Sequence, residues 1–324
     1  TAPVIVIDSI TATGDPEQAD LISIQTTITD WAGATGEYRI QGPSAYDSGW
    51  LALDGAGDAS WDSSNANAEG VHTINIRATD ASAANNVADP AGDEGSFTLT
   101  DATIPTIVVD LVTASGNPDV PTTINIQTTL SDFSGIASGE FRVMGSGYDS
   151  GWLALDGAGD GSWISSAALA EGDHNVSIRA TDLSAASNVA TDVNVSTFSL
   201  TDLTEPNIVV DSITAAGDPD VADIISIQTT ITDWAGVASA DYRILGPGGY
   251  DSGWVALDGN GDATWDSSVA LAEGVHTVNI RATDAATAAN IANPVGNEGS
   301  FTLTDATAPV IVIDSITATG DPEQ

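Results

Sequence analysis

The segment Leu21–Thr29, LISIQTTIT, alternates strictly. Ile22, Ile24, Thr26 and Ile28 fall on one face, and Ser23, Gln25 and Thr27 on the other. A period of two is that of a half-buried strand, because successive strand side chains point to opposite faces. The alternation returns along the first hundred residues. Glu37–Ile40 puts Tyr38 and Ile40 inward and Glu37 and Arg39 outward. Val71–Thr79 places Ile74, Ile76 and Ala78 on one face and Arg77 on the other, and Ser96–Thr100 turns Phe97 and Leu99 inward. Val4–Ile10 is a β-rich opening, and Trp50–Leu53 and Ala59–Asp62 flank the turn DGAGD. About seven short strands in roughly 100 residues, separated by Gly, Asp and Pro signals, predict an all-β, antiparallel β-sandwich. The Ala-rich stretches Asn65–Glu69, Ala167–Glu171 and Val269–Glu273 have room for a single helical turn.

The whole set of elements recurs. Thr1–Gln18 reappears letter for letter as Thr307–Gln324, and looser copies of the opening start at Thr103 and Thr204. A period near 100 residues means whole domains in series rather than a solenoid. The expected domains are 1–102, 103–203 and 204–306, with 307–324 as the first strand of a fourth. The last copy matches the first better than the other two, which implies a 306-residue superperiod and an excerpt from a longer array.

Composition narrows the class. Hydrophobic residues make up 42% of the chain, too many for a disordered acidic tail. Without cysteine, the fold uses neither disulfides nor thiolate metal sites. The formal net charge is −40, from 46 Asp and Glu against six Arg and no Lys. Such a balance predicts no nucleic-acid partner, since binding one means neutralising phosphates with cations. No apolar run is long enough for a membrane span, so no membrane insertion is expected. Self-repulsion of this size needs high salt or bound divalent cations to screen it. Asp outnumbers Glu and concentrates in the loops, where it suits turns and oxygen-only ion sites.

The segment GVHTINIRATDA…SFTLTDATAP, repeated as GDHNVSIRATD…STFSLTDLTEP and GVHTVNIRATD…SFTLTDATAP, resembles the tandem immunoglobulin-like repeats of large secreted, RTX-type bacterial adhesins and surface-array proteins. The likeness covers essentially the whole chain and is most specific at the ATD strand and the T-D-x-T-x-P linker. It implies immunoglobulin-like sandwiches, beads on a string, in long extracellular arrays that are often Ca²⁺-dependent.

Candidate chemistry is sparse except for acids. His72, His174 and His276 stand one per repeat and are read as core-edge residues. No nucleophile motif, phosphate loop or HExxH occurs, and no enzymatic activity is expected. The DGAGD turn (Asp54–Asp58, Asp156–Asp160 and, as DGNGD, Asp258–Asp262) reads first as a hairpin with solvated Asp and second as a loop Ca²⁺ ligand. The sharper case is the repeat junction. Asp30 and Asp80, Asp132 and Asp182, and Asp233 and Asp284 are expected beside the linker entering their own domain. Those linkers carry Asp101, Asp202 and Asp305. The far-end loop adds Asp15, Glu17 and Asp20 in repeat one and Asp218, Asp220 and Asp223 in repeat three; repeat two is poorer, with Asn117 and Asp119. Hard oxygens meeting there suit Ca²⁺, which takes six to eight of them; the plainer alternative is Asx turns and solubility.

The Arg pairs (Arg39 and Arg77, Arg142 and Arg179, Arg243 and Arg281) read as cross-strand ion pairs, with Glu37, Glu140 and Asp241 two residues before the first of each pair. The eight Trp, at fixed places in each unit, read as core. The resulting expectation is an extracellular spacer or stalk, stiffened by Ca²⁺, whose partners are neighbouring repeats of the same chain or fibre. Two alternatives stand beside it: a filament subunit that polymerises by strand donation, and a module that binds cell-surface or matrix glycans.

Overall fold

The computed structural model describes residues 1–90, 92–145, 147–294 and 296–317. Repeat one comprises β1 (Val4–Ile10), β2 (Thr13–Gly14), β3 (Leu21–Thr29), β4 (Ala34–Gly42), β5 (Tyr46–Asp47), β6 (Leu51–Ala52), β7 (Asp58–Asp62), β8 (Gly70–Asp80), β9 (Val87–Ala88) and β10 (Gly95–Leu99). Among the described residues ten strands thus stand where about seven were expected; the three additional ones, β2, β5 and β9, have two residues each and carry too little pattern to be read. The three-stranded sheet runs β1-β3-β7 and the larger one β2-β10-β8-β4-β5, with β6 on β4 and β9 on β8. Pairings are antiparallel except for β2 beside β10, where the chain leaving β1 changes sheet and runs parallel.

The alternating positions close the core. Ile22, Ile24, Tyr38, Ile40, Ile74, Ile76, Phe97 and Leu99 are buried with Trp61 between the two sheets. Repeat three repeats this core with Ile225, Ile227, Tyr242, Ile244, Trp265 and Phe301. In repeat two the buried set includes Ile124, Ile126, Phe141, Val143, Trp163 and Phe198. Single-turn 3-10 helices form at Ser63–Asn65, Ser165–Ala167 and Ser267–Val269, slightly ahead of the Ala-rich stretches.

Asp8, in the middle of an apolar strand, occupies a break in the β1–β3 register, and its Oδ2 accepts from Thr27 Oγ1 at 2.7 Å. At the DGAGD hairpin Gly57 has φ +91°, and a Cβ there would lie 2.6 Å from the Thr26 carbonyl oxygen, so only glycine closes this turn.

By packing, the chain divides into two compact units. One joins Thr1–Ser115, Thr123–Trp163 and Asp173–Ser199; the other joins Gly116–Thr122, Ile164–Gly172 and the chain from Leu200 onward. The division runs through repeat two. Residues 307–317 form no strand, and Val310, Ile311, Val312 and Ile313 are exposed. The rest of the expected fourth opening, 318–324, lies outside the described residues.

Candidate metal centres at the repeat junctions

Three short devices build each junction. The first is an Asx turn after the second long strand: Asp132 Oδ1 accepts the Ser134 N–H at 2.9 Å and Asp233 Oδ1 the Ala235 N–H at 2.8 Å. A glycine with positive φ, Gly135 or Gly236, follows and turns the chain back. The second is the loop after the ATD strand. Asp182 Oδ1 accepts the Asn188 N–H at 2.8 Å and its Oδ2 the Asn188 amide at 2.8 Å. Asp284 does the same with Asn290, at 2.8 and 2.7 Å. The third is the linker, where Asp101 Oδ1 accepts from the Thr103 N–H at 3.1 Å and Asp202 Oδ1 from the Thr204 N–H at 3.0 Å.

These devices bring carboxylates together twice. One oxygen from each of Glu17, Asp101 and Asp132 lies within 4.8 Å of the others, and so does one from each of Asp202, Asp233 and Asp284. The first set lies wholly within the first compact unit and the second within the other. Asp101 and Asp202 are fully buried. The Oδ2 atoms of Asp132, Asp202 and Asp233 are buried without a hydrogen-bond partner. An ionised oxygen in that condition is costly unless a cation or proton meets it. Burial raises the Asp233 pKa above the usual carboxylate range, and the charges of Asp202, Asp284 and Asp119 push it further. Burial also raises Asp132, with Asp101 adding to it. Burial and the Asp132 charge raise Glu17. All the donors are hard oxygens. The histidines lie buried in the sandwich cores, and cysteine is absent, so the donor set fits Ca²⁺ rather than a softer metal.

The other expected acids stand close by in different roles. Asp182 is held by its own loop and lies outside the first set of three. Asp15 Oδ2 accepts the Ala102 N–H at 3.2 Å, while Asp20 Oδ2 accepts the Asp15 N–H at 2.8 Å. Asp218 and Asp223 repeat this in repeat three, Asp218 accepting from Ala306 at 3.1 Å and Asp223 from Asp218 at 2.8 Å. Asp30 caps Ala32, Asp80 holds Asn86, and the exposed Asp305 caps Thr307. In the DGAGD turn, Asp54 Oδ1 accepts the Ala56 and Asp58 N–H groups at 2.8 Å, which is the hairpin reading.

The sequence reading missed the clasps. Glu69 accepts the linker Asp101 N–H at 3.2 Å and the Ala185 N–H of the next repeat at 2.7 Å. Glu171 accepts from the Asp202 N–H at 2.6 Å and the Thr287 N–H at 2.8 Å. Burial alone would raise the Glu171 pKa, yet these bonds hold it below the ordinary value. Asn188 donates to the Asp101 carbonyl at 3.1 Å. The available signal was position: Glu69, Glu171 and Glu273, and Asn86, Asn188 and Asn290, occupy the same place in every repeat.

Away from the junctions, each Arg has an acidic partner. Glu37 faces Arg77 in register at 2.7 Å, as Glu140 faces Arg179 at 2.5 Å and Asp241 faces Arg281 at 2.9 Å. Arg39, Arg142 and Arg243 pair instead with Asp47, Asp149 and Asp251. The expectation that Trp is uniformly core needs correction. Trp61, Trp163 and Trp265 are buried. Trp50, Trp152 and Trp254 lie under Arg77, Arg179 and Arg281, with guanidinium carbons 4.3, 4.5 and 4.5 Å from the ring centroids. Trp31 is fully exposed on the Asx turn. Strand parity cannot separate a core ring from one sandwiched under an outward Arg. The histidines are fully buried, deeper than a core edge.

No family model matches the sequence, and no curated protein matches it. The structural neighbours include three parts of large bacterial adhesins. One is a 1.5-MDa bacterial ice-binding adhesin involved in host cell surface retention, at 15% identity over 94% of this chain and 96% of that one, with a TM-score of 0.30. A second is a Ca²⁺-stabilised adhesin that helps an Antarctic bacterium bind ice, at 19% identity over 94% and 74%, TM-score 0.28. A third is a tetra-tandem repeat from the extending region of a large adhesion protein, at 18% over 93% and 72%, TM-score 0.35. At these identities and scores the likeness carries no functional argument. Among the described residues no helix is long and apolar enough to cross a membrane.

Proposed function

We propose that the chain is a structural spacer of an extracellular adhesin or surface fibre. In this reading each repeat is one domain, 1–102, 103–203 and 204–306, and Ca²⁺ held by junction carboxylates stiffens the array. The observation that carries it is the linker of each described junction. The same clasp, Glu69 or Glu171, binds the linker and the following repeat at once, beside three gathered carboxylates, among which Asp132 at the first junction and Asp202 and Asp233 at the second keep a buried oxygen without a partner. The residues that would hold the ion are Glu17, Asp101 and Asp132 in one place and Asp202, Asp233 and Asp284 in the other. Bound there, Ca²⁺ supplies charge neutralisation and fixes the linker against the next domain. Repetition supports a mechanical role without catalysis: the acids, Arg and Trp are copied rather than gathered into one constellation.

Two observations favour the spacer over its alternatives. Each three-stranded sheet already holds its own opening strand against the second one, so among the described residues no vacant slot awaits a donated strand. Most Trp rings are buried or covered by Arg, which leaves no row of open aromatic faces for glycan. Small-angle scattering and thermal melting of the full chain at fixed ionic strength, with Ca²⁺ or with EDTA, test the reading. Chelation should shorten the mean particle length and lower the melting temperature. Identical curves in both buffers would refute cation stiffening.

A further inference from the structure

The two junctions share a frame but differ in two small side chains. At the first, Ser134 presents its hydroxyl to Asp101 Oδ2 and lies 2.9 Å from Asp132 Oδ1. Ser184 Oγ donates to Asp182 at 2.8 Å. At the second junction, Ala235 and Ala286 stand in those places. Asp202, fully buried, there keeps an Oδ2 with no partner, next to an equally unpartnered Asp233 Oδ2. Asp284, freed of a serine hydroxyl, contributes an oxygen to the set, whereas Asp182 contributes none at the first junction.

Charge alone does not distinguish the two places, since each gathers three carboxylates. Solvent and hydroxyl do. Glu17 in the first set is exposed, and its Oε1 accepts the Phe133 N–H at 3.1 Å. The Ser134 proton already answers Asp101, so that Asp132 Oδ2 is the one buried oxygen of this set without a partner. A cation entering the first junction displaces or reorients that hydroxyl. At the second it meets two buried, unpartnered oxygens and displaces nothing.

Resting on the Ca²⁺ reading above, we infer that the junctions are unequal cation sites. Asp202, Asp233 and Asp284 form the tight site for a hard divalent cation. Ser134 stands in for part of the ion at the other, which is the weak site. The array therefore carries joints of two kinds, one cation-dependent at low Ca²⁺ and one held largely by its own hydrogen bonds. The choice is made by Ser or Ala two residues after the Asx-turn aspartate.

Calorimetric titration of the Ca²⁺-stripped full chain with CaCl₂ tests this. Two classes of site are expected, separated by about tenfold or more in affinity, the scale of one hydrogen bond to a charged group. Asp233→Asn should remove the tight class and Asp132→Asn the weak one. Ala235→Ser should weaken the tight class about tenfold, and Ser134→Ala should strengthen the weak class by a similar factor. A second probe avoids dependence on heats. Trp234 follows Asp233, whereas Phe133 follows Asp132. Trp-sensitised Tb³⁺ emission should therefore report the second site, saturate at the lower concentration and fall in Trp234→Phe. Equal affinities at both junctions, or no response to Ser134→Ala and Ala235→Ser, overturn the inequality while leaving cation stiffening intact. Absence of any Ca²⁺ binding overturns both.

Discussion

The side-chain amide of Asn290 donates to the main-chain carbonyl of Asp202 at 3.0 Å and to Asp284 Oδ2 at 2.7 Å. One side chain thus ties the linker to the loop that follows the ATD strand. Asn290→Ala removes both bonds and leaves the core strands untouched. Each bond contributes about 1 kcal/mol, so with both removed hydrogen exchange at the Thr204 amide should accelerate by up to about thirtyfold. Core amides such as Ile280 should keep their protection. Unchanged exchange at Thr204 would show that the linker is held by other contacts.

Asp233 gives a prediction that changes sign with the buffer. Burial and three neighbouring acids make its charge unfavourable at neutral pH unless a cation is present. Asp233→Asn removes that repulsion and also removes a ligand. In EDTA the variant should melt higher than the parent, and in saturating Ca²⁺ lower. A difference of about 1 kcal/mol moves the melting point of a domain this size by roughly 4–8 °C. Shifts of the same sign in both buffers would contradict a cation at this place.

Glu37, Arg77 and Trp50 form a three-part stack on the outer face of the larger sheet. The ion pair is partly solvent-exposed, with side chains 40% and 33% accessible, and such pairs contribute about 0–1 kcal/mol. Glu37→Gln should therefore change stability by less than about 1 kcal/mol. Arg77→Ala also uncovers the indole ring and should cost more, because the guanidinium carbon sits over it, 4.3 Å from the ring centroid. Red-shifted, more quenchable Trp50 emission in Arg77→Ala, absent in Glu37→Gln, is the expected signature. Equal effects in both variants would assign the stack's contribution to charge alone.

Periodicity made the sandwich legible: every residue assigned inward on Leu21–Thr29, Glu37–Ile40 and Val71–Thr79 is buried or nearly so. The edge strands Thr13–Gly14, Tyr46–Asp47 and Val87–Ala88 were not readable as elements, since two residues show no period, whereas Leu51–Ala52 falls inside the expected segment Trp50–Leu53. At the junctions, Asp101, Asp132, Asp202, Asp233 and Asp284 were legible because an acid recurred at a linker or loop end. Their company was not. Glu69 and Glu171 act through contacts 116 residues away, and no local pattern encodes such a contact. The roles of Asp15 and Asp218 were half legible: they reach the junction, but they hold linker N–H groups rather than joining the carboxylate sets.

His72 is a fully buried, titratable member of the repeat-one core. Its ring stacks on Phe97 with centroids 5.3 Å apart and planes 12° from parallel. Nδ1 lies 3.1 Å from the Gly70 carbonyl, while Nε2 is buried with no partner. A proton on Nε2 would add a charge to the core with nothing to receive the N–H, and burial accordingly lowers the His72 pKa below 6.5. The unfolded chain binds a proton near pH 6.5, and the folded chain only at lower pH. The stability tied to neutral His72 is therefore complete above pH 6.5 and is lost as pH falls from there toward the depressed value. Asp149 and Asp251, held at about 2 by Arg142 and Arg243, begin to contribute a loss only below their ordinary 3.8, whereas the His72 loss begins already at pH 6.5. Exchange protection at the Phe97 and Leu99 amides, corrected for intrinsic rates, should decline between about pH 6.5 and 5 in the parent. In His72→Phe, which keeps an aromatic ring against Phe97, protection should stay flat across that range. A parent profile without slope, or a variant that retains it, would remove His72 as the titrating group.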